Sequence, residues 1–137
     1  MLIVRRSMNI ILYAPEDQHH LERLLLHLQD AQGVKISGTL DTALTDQPIH
    51  SVILLMSIDL LHRLVCETAY LALYRRLRLL EREGMTVIAY VRACNFPSHF
   101  KRSRVFPPAG PTITERTRAA QEAIYQEIAA ALKAGEA

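Results

Sequence analysis

Short unbroken apolar runs alternate along this chain with longer stretches in which apolar residues recur at helical spacing. The run SVILLM at residues 51–56 has the length of a strand, and a strand that is apolar throughout is typical of a sheet covered on both faces. We therefore interpret it as the central strand. Further strands are predicted by MNIILYA, VKIS and MTVIAYV at residues 8–14, 34–37 and 85–91, and a short last strand at residues 111–114.

Three longer stretches predict helices. The first follows Pro15 and has apolar residues at helical spacing from Leu21 to Ala31, with Gly33 at its end. The second is one long pattern from about residue 59 to residue 83, which begins apolar and becomes polar before Gly84. An alanine-rich helix at residues 115–134 closes the chain. Residues 38–50 and 92–110 have no such periodicity, and we expect loops or at most a short helix there.

This alternation of strands and helices predicts an α/β fold. Strands connected through helices form a mostly parallel sheet with helices on both faces. We expect a flavodoxin-like three-layer sandwich of about five strands. At 137 residues the chain is predicted to be a single domain, residues 1–137, with residues 1–7 as an N-terminal extension.

Composition narrows the range of partners. A net charge of +2 and a charged fraction of 22% do not indicate nucleic-acid binding. Two basic clusters are expected to be solvated faces: Arg75, Arg76 and Arg78, and Lys101, Arg102 and Arg104. No apolar run approaches the ~20 residues of a membrane span, and residues 1–7 lack the apolar centre of a signal peptide. We expect a cytoplasmic protein without a nucleic-acid or membrane partner.

The two cysteines are too few for a disulfide framework, which fits a reducing compartment. Cys66 and Cys94 are expected in or near the core. His19, His20 and His27 lie on or near the first helix, where we expect them in solvent rather than in a metal site. The chain has no glycine-rich phosphate loop. We therefore expect no metal and no bound cofactor.

The candidate site residues follow the strands, because ligands of open α/β sheets bind beyond the carboxyl ends of the strands. Glu16 and Asp17 follow the first strand, and Ser57 and Asp59 follow the central one. A serine between a strand and a helix is expected to cap the helix. A nucleophilic Ser57 or Cys66 would need a positioned histidine, such as His62.

Five segments occur in the order and with the spacing of a known family. They are IILYAPED (10–17), VILLMSIDLL (52–61), Cys66, VIAYVRACNF (87–96) and FPPAGPTI (106–113). Together they resemble bacterial Toll/interleukin receptor-type (TIR) domains over almost the whole chain. The resemblance implies a flavodoxin-like fold.

Many members of that family hydrolyse NAD with a glutamate four residues beyond the cysteine, and the resemblance implies the same position here. Counted from Cys66, this position is Tyr70, whereas Glu67 lies three residues earlier, about one helical turn away. One hypothesis is therefore an NAD-hydrolysing or NAD-cyclising enzyme that uses Glu67, with Tyr13, Ser57 and Tyr70 shaping the pocket. NAD would be its substrate. The alternative for Glu67 is an acid placed early in a helix, where the dipole favours it.

Residues 38–50 are shorter than the family's corresponding loop and helix, which roof the nucleotide pocket. Together with the missing glutamate, this points to a non-catalytic interaction or self-assembly module in bacterial intracellular signalling or defence. Its partner would be another protein or a second copy of the chain. The expected contact residues are Glu16, Asp17, Asp59, Arg75, Arg76, Arg78, Phe96 and Phe100.

A third hypothesis comes from the acids Asp17, Asp41 and Asp59, which suggest the acidic cluster of a response-regulator receiver with the same fold class. Such a receiver would bind magnesium at the strand ends. The fourth strand does not end in the lysine that a receiver needs, and Ser57 rather than an aspartate closes the central strand.

Overall fold

The computed structural model describes residues 8–28, 34–37, 49–94 and 104–136. Its strands are β1 (Met8–Leu12), β2 (Val34–Ser37), β3 (Ile49–Met56), β4 (Thr86–Tyr90) and β5 (Arg104–Phe106). They form one sheet in the order β2-β1-β3-β4-β5, and every neighbouring pair is parallel. The predicted α/β class with a parallel sheet is confirmed, and this order is compatible with a flavodoxin-like fold.

The four longer helices are α1 (Gln18–His27), α2 (Ile58–Cys66), α3 (Leu71–Arg82) and α4 (Arg118–Glu136). Single 3₁₀ turns precede three of them, at Pro15–Asp17, Thr68–Tyr70 and Ile113–Glu115. α3 ends beside Gly84, whose φ of 73° lies in the left-handed region that favours glycine after a helix.

The central strand β3 is buried on both faces, and its alternate side chains contribute to two separate cores. Val52, Leu54 and Met56 pack with α2 and α3, whereas Ile53 and Leu55 pack with α1 and α4. All five side chains are 0% exposed. This two-sided burial explains why the run is apolar throughout, and it gives three layers with the sheet in the middle.

The prediction of one continuous helix from residue 59 to residue 83 is wrong. α2 ends at Cys66, Glu67 adopts an extended backbone with φ −93° and ψ 123°, and α3 begins at Leu71. Hydrophobic phase explains the break, because Leu64 in α2 and Leu73 in α3 are both buried against the same core. In one straight helix these two positions would point in opposite directions, about 180° apart.

The last strand also differs from the prediction. Residues 111–114 form no strand, and β5 instead lies at Arg104–Phe106, inside the predicted loop at residues 92–110. Pro111 has no N–H to donate to a ladder. Thr114 instead caps the exit of β4, because both its backbone N–H and its hydroxyl donate to the carbonyl of Val91, at 3.1 and 2.9 Å. α4 consequently begins at Arg118, not at residue 115.

Two expectations about burial are wrong. Cys66 is exposed, although we expected it in or near the core, whereas Cys94 is half-buried and packs against the core under α2 and α3, as predicted. His20 is only 3% exposed, although we expected it in solvent. It occurs at the same helical spacing as the buried Leu24 and Leu28, which places it on the inner side of α1.

Some predictions concern segments outside the described residues. These are the N-terminal extension at residues 1–7, most of the segment at residues 38–50, and the contact residues Phe96 and Phe100.

Candidate functional site

The exits of β1 and β3 meet at the carboxyl edge of the sheet. The two strands pair in parallel, with Ile10 opposite Val52 and Leu12 opposite Leu54, so their following residues lie at the same edge. From there α1 goes to one face of the sheet and α2 goes to the other. Such a change of direction between neighbouring strands is the place where open α/β sheets bind ligands.

An arginine from a third strand exit lies between the two acids at this edge. Arg92 follows β4, and its Nη2 atom is 2.9 Å from Oδ1 of Asp17 and 2.6 Å from Oδ2 of Asp59. The Asp17 side chain is 1% exposed, whereas those of Asp59 and Arg92 are about one-third exposed. We call these three residues the Arg92 clamp, because a single guanidinium connects the exits of β1, β3 and β4.

Electrostatics favours the charged form of Arg92 in the clamp. Burial of Arg92 lowers its pKa. The hydrogen bonds from Arg92 to Asp17 and Asp59, together with the negative charges of these two residues, outweigh burial, and the pKa of Arg92 is raised. The two carboxylates of the magnesium hypothesis are therefore occupied by a cation of the chain itself. The third acid of that hypothesis, Asp41, lies outside the described residues.

A second ion pair crosses the same edge nearer to solvent. Arg63 of α2 donates from Nη1 and Nη2 to the two oxygens of Glu16, at 3.0 and 2.9 Å. This bidentate hydrogen bond is the main reason why the pKa of Glu16 is lowered to about 2. Two of the expected contact acids, Glu16 and Asp17, are thus bonded within the molecule, and the burial of Asp17 prevents its direct contact with a partner.

Ser57 is a structural residue here. It is 0% exposed, and its hydroxyl oxygen accepts a hydrogen bond of 3.3 Å from the backbone N–H of Leu60, which caps α2. The expected capping role of Ser57 is therefore confirmed. Its hydroxyl does not face solvent and does not form part of an open pocket wall.

Glu67 directly follows the last residue of α2 and lies beside a small cavity. The cavity has a volume of about 220 Å³ and is lined by Ile58, Asp59, His62, Arg63 and Glu67. Pockets for small organic ligands usually measure ~300–1,000 Å³, so this cavity is smaller than a typical ligand pocket. Glu67 follows the end of α2 and has an extended backbone. It therefore does not share a helical face with Tyr70, contrary to our expectation.

The two tyrosines of the NAD hypothesis lie on opposite sides of the sheet. Tyr13 packs against the core under α1 and α4, whereas Tyr70 packs against the core under α2 and α3. The structure therefore brings Glu67 close to Asp59 and His62, but it does not bring Tyr13 and Tyr70 together around one pocket.

The arginines of α3 differ in their surroundings. Arg75 is exposed, and Arg76 and Arg78 are half-buried. Arg78 donates to the hydroxyl of Tyr74 at 3.3 Å. The α2–α3 layer also exposes four large hydrophobic side chains, Ile58, Val65, Leu71 and Leu79. We call the outer side of this layer, with these four residues and Arg75, the α2–α3 surface.

The sequence analysis missed a polar network between α1 and α4. His20 Nδ1 and the hydroxyl of Tyr125 share a hydrogen bond of 2.6 Å, and both residues are buried. Burial lowers the pKa of His20 to about 4 and raises the pKa of Tyr125 to about 12, so both are neutral at pH 7. Tyr125 recurs at helical spacing with the buried Ile128 and Leu132, and that signal was available in the sequence.

An ion pair on the outer side of the same network connects the two helices. Glu122 accepts from Arg23 Nε at 2.9 Å and lies 2.5 Å from His27 Nε2. The hydrogen bond with His27 lowers the pKa of Glu122 most, and the hydrogen bond with Arg23 lowers it further. The guanidinium of Arg23 also lies over the ring of Tyr125, 5.3 Å from its centroid. The network fixes α1 against α4 and lies away from the small cavity beside Glu67.

Comparison with known proteins does not identify a family for this chain. No protein-family model matches the chain, and no curated protein matches it in sequence. Within the described residues, no group of three histidine, cysteine, aspartate or glutamate side chains is arranged to hold a metal ion. In the same part of the chain, no helix combines the length and hydropathy that crossing a bilayer requires.

Proposed function

We propose that this protein is a non-catalytic, TIR-like module for protein–protein interaction or self-assembly in bacterial intracellular signalling or defence. The observation that carries the proposal is the Arg92 clamp. At the edge where α/β sheets bind ligands, the acids from two strand exits are already bonded to the chain's own arginine.

The clamp favours interaction over catalysis for an energetic reason. A ligand that bonded to the carboxylate of Asp17 would have to separate it from Arg92, and breaking a buried ion pair leaves an uncompensated charge. Docking on the helices requires no such rearrangement. The exposed hydrophobic side chains concentrated on the α2–α3 surface support this reading, because exposed apolar surface is typical of interaction sites.

Sedimentation of the intact chain from micromolar to millimolar concentration tests the proposal, together with cross-linking in its host cell. We expect the mass to rise with concentration, or one defined cross-linked partner to be recovered. A monomer at every concentration that also yields no cross-linked partner would contradict the proposal.

The second candidate function is hydrolysis of NAD, and the cavity beside Glu67 is the observation that favours it. In this reaction water adds to the ribose carbon as the bond from that carbon to nicotinamide breaks. The carboxylate of Glu67 would stabilise the positive charge that develops on the ribose.

Incubation of concentrated protein with NAD, followed by chromatography for free nicotinamide, distinguishes the two functions. A non-catalytic module releases no nicotinamide above a protein-free sample. If nicotinamide is released, and Glu67→Gln abolishes its release while the matched exposed glutamate variant Glu83→Gln retains it, the hydrolase reading replaces the first proposal.

A further inference from the structure

The large exposed hydrophobic side chains of the described residues are concentrated on one layer. Ile58 and Val65 lie on α2 and are 53% and 42% exposed, and Leu71 and Leu79 lie on α3 and are 45% and 49% exposed. Among the described residues of the opposite layer, Leu26 of α1 is the single large hydrophobic residue with comparable exposure. α2 and α3 pack against each other, so the four residues belong to one surface.

On α3 these apolar side chains alternate with cations. Leu71, Arg75 and Leu79 recur every four residues, and Arg82 follows after three more, so the four lie along one side of the helix. Arg75 and Arg82 are exposed and form no ion pair with any described residue. The outer side of α3 is thus a stripe of leucine, arginine, leucine and arginine.

No described acid of this layer forms an ion pair with Arg75, which lies in the middle of the stripe. Glu67 precedes α3 in the extended segment, and Glu83 follows its last residue. Glu83 comes four residues after Leu79 and therefore lies at the carboxyl end of the stripe, beside Arg82, whereas no acid lies three or four residues from Arg75. A partner that approaches the stripe therefore meets positive charge between two apolar side chains.

We infer that the α2–α3 surface docks an acidic amphipathic helix of a partner protein. Apolar residues of that helix pack on Leu71 and Leu79, and its carboxylates bond to Arg75 and Arg82. A helix is the matching shape, because apolar anchors every three to four residues fit a stripe with the same spacing. This inference rests on the proposed interaction function and names the chemistry of the partner.

A fluorescent peptide tests the inference. The probe is a helical peptide of leucine and glutamate with leucines at helical spacing, and its counterpart has lysine in place of glutamate. We expect the glutamate peptide to bind at least about tenfold more tightly than the lysine peptide in anisotropy titrations. In NMR spectra of the labelled protein, the amide chemical shifts that change when the glutamate peptide binds should belong only to residues of α2 and α3.

Matched variants assign the binding to the stripe. Leu71→Ser and Arg75→Glu should each weaken binding of the glutamate peptide by about tenfold or more. The controls are Leu26→Ser and Arg118→Glu, which change an exposed leucine and an exposed arginine on the opposite layer. We expect less than about a twofold effect from either control.

Four results would overturn the inference. One is equal binding of both peptides, and another is equal loss in the control variants. The third is binding of single-stranded DNA that Arg75→Glu abolishes and Leu71→Ser leaves intact, which would make the stripe a phosphate-binding surface. The fourth result is that the glutamate peptide does not bind, while Leu71→Ser leaves self-association or the cross-linked partner unchanged. In that case the inference is wrong, and the proposed interaction function is retained.

Discussion

The Arg92 clamp makes a quantitative prediction for the variant Arg92→Met. Methionine retains much of the aliphatic length and removes the guanidinium, which leaves the carboxylate of Asp17 buried without its charged donor. Removing one partner of a fully buried ion pair costs ~3–5 kcal/mol. Since Arg92 is 37% exposed and Asp59 is 34% exposed, water screens part of this interaction. We expect a loss of ~2–3 kcal/mol in the free energy of unfolding.

The loss can be measured by urea and thermal unfolding followed by circular dichroism. With an unfolding entropy of ~2.1 cal/mol/K per residue, the whole chain should lose ~3.5 °C in Tm for each kcal/mol. The expected decrease in Tm is therefore ~7–10 °C. The urea m-value should stay constant, because the clamp contributes little to the surface exposed on unfolding.

Two further variants test the physical reason. Arg63→Met removes the arginine of the exposed pair with Glu16 and should have a much smaller effect, because water replaces that partner. Asp17→Asn in the Arg92→Met background removes the stranded charge and should restore part of the lost stability. If Arg92→Met is as mild as Arg63→Met, or if the double variant is less stable than Arg92→Met, the clamp is not a buried ion pair of the kind described.

Three other predictions concern the buried polar groups. The pKa of His20 is about 4 when folded and 6.5 when unfolded, so the unfolded chain binds the proton first. The free energy of unfolding should therefore be highest above pH 6.5 and fall towards pH 4. In urea titrations, His20→Gln should make this free energy depend less on pH. An unchanged pH dependence would mean that groups other than His20 cause it. Tyr125→Phe removes the hydroxyl bonded to His20 and should cost ~1–2 kcal/mol by urea unfolding, and a neutral effect would contradict the bond. Ser57→Ala removes the cap of α2 and should cost ~1 kcal/mol, whereas Ser57→Asn, another good capping residue, should cost less.

Strands β1, β3 and β4 were predictable because each contains an unbroken apolar run. β3 is apolar because both faces of the sheet are covered, and this requirement leaves a local signal that needs no knowledge of the partner strands. The cap at Ser57 was predictable for the same reason, since it depends only on the residues of the following turn. β5 was missed because its three residues include Arg104, and an edge strand of this length has no such pattern.

The details of the site depend on contacts between distant residues. Three strands and three helices, from α1 to β4, separate Arg92 from Asp17 along the chain, and nothing in the sequence neighbourhood of Arg92 indicates that it connects two acids. The break at Glu67 was detectable in principle, because the buried leucines before and after it are out of phase. A single helical pattern over residues 59–83 ignores this change of phase, and it predicts a helical face common to Glu67 and Tyr70 that the two residues do not share.

The interruption between α2 and α3 also makes the chain easy to modify at one place. Residues 67–69 are exposed, and the hydrogen bonds from Glu67 N–H to Arg63 and from Tyr70 N–H to Glu67 stay within one turn. Exposed connections with local hydrogen bonding tolerate insertions best. A small fluorescent tag placed there would leave both cores intact and lie beside the surface where we expect docking, so the protein's encounters could be followed in living cells.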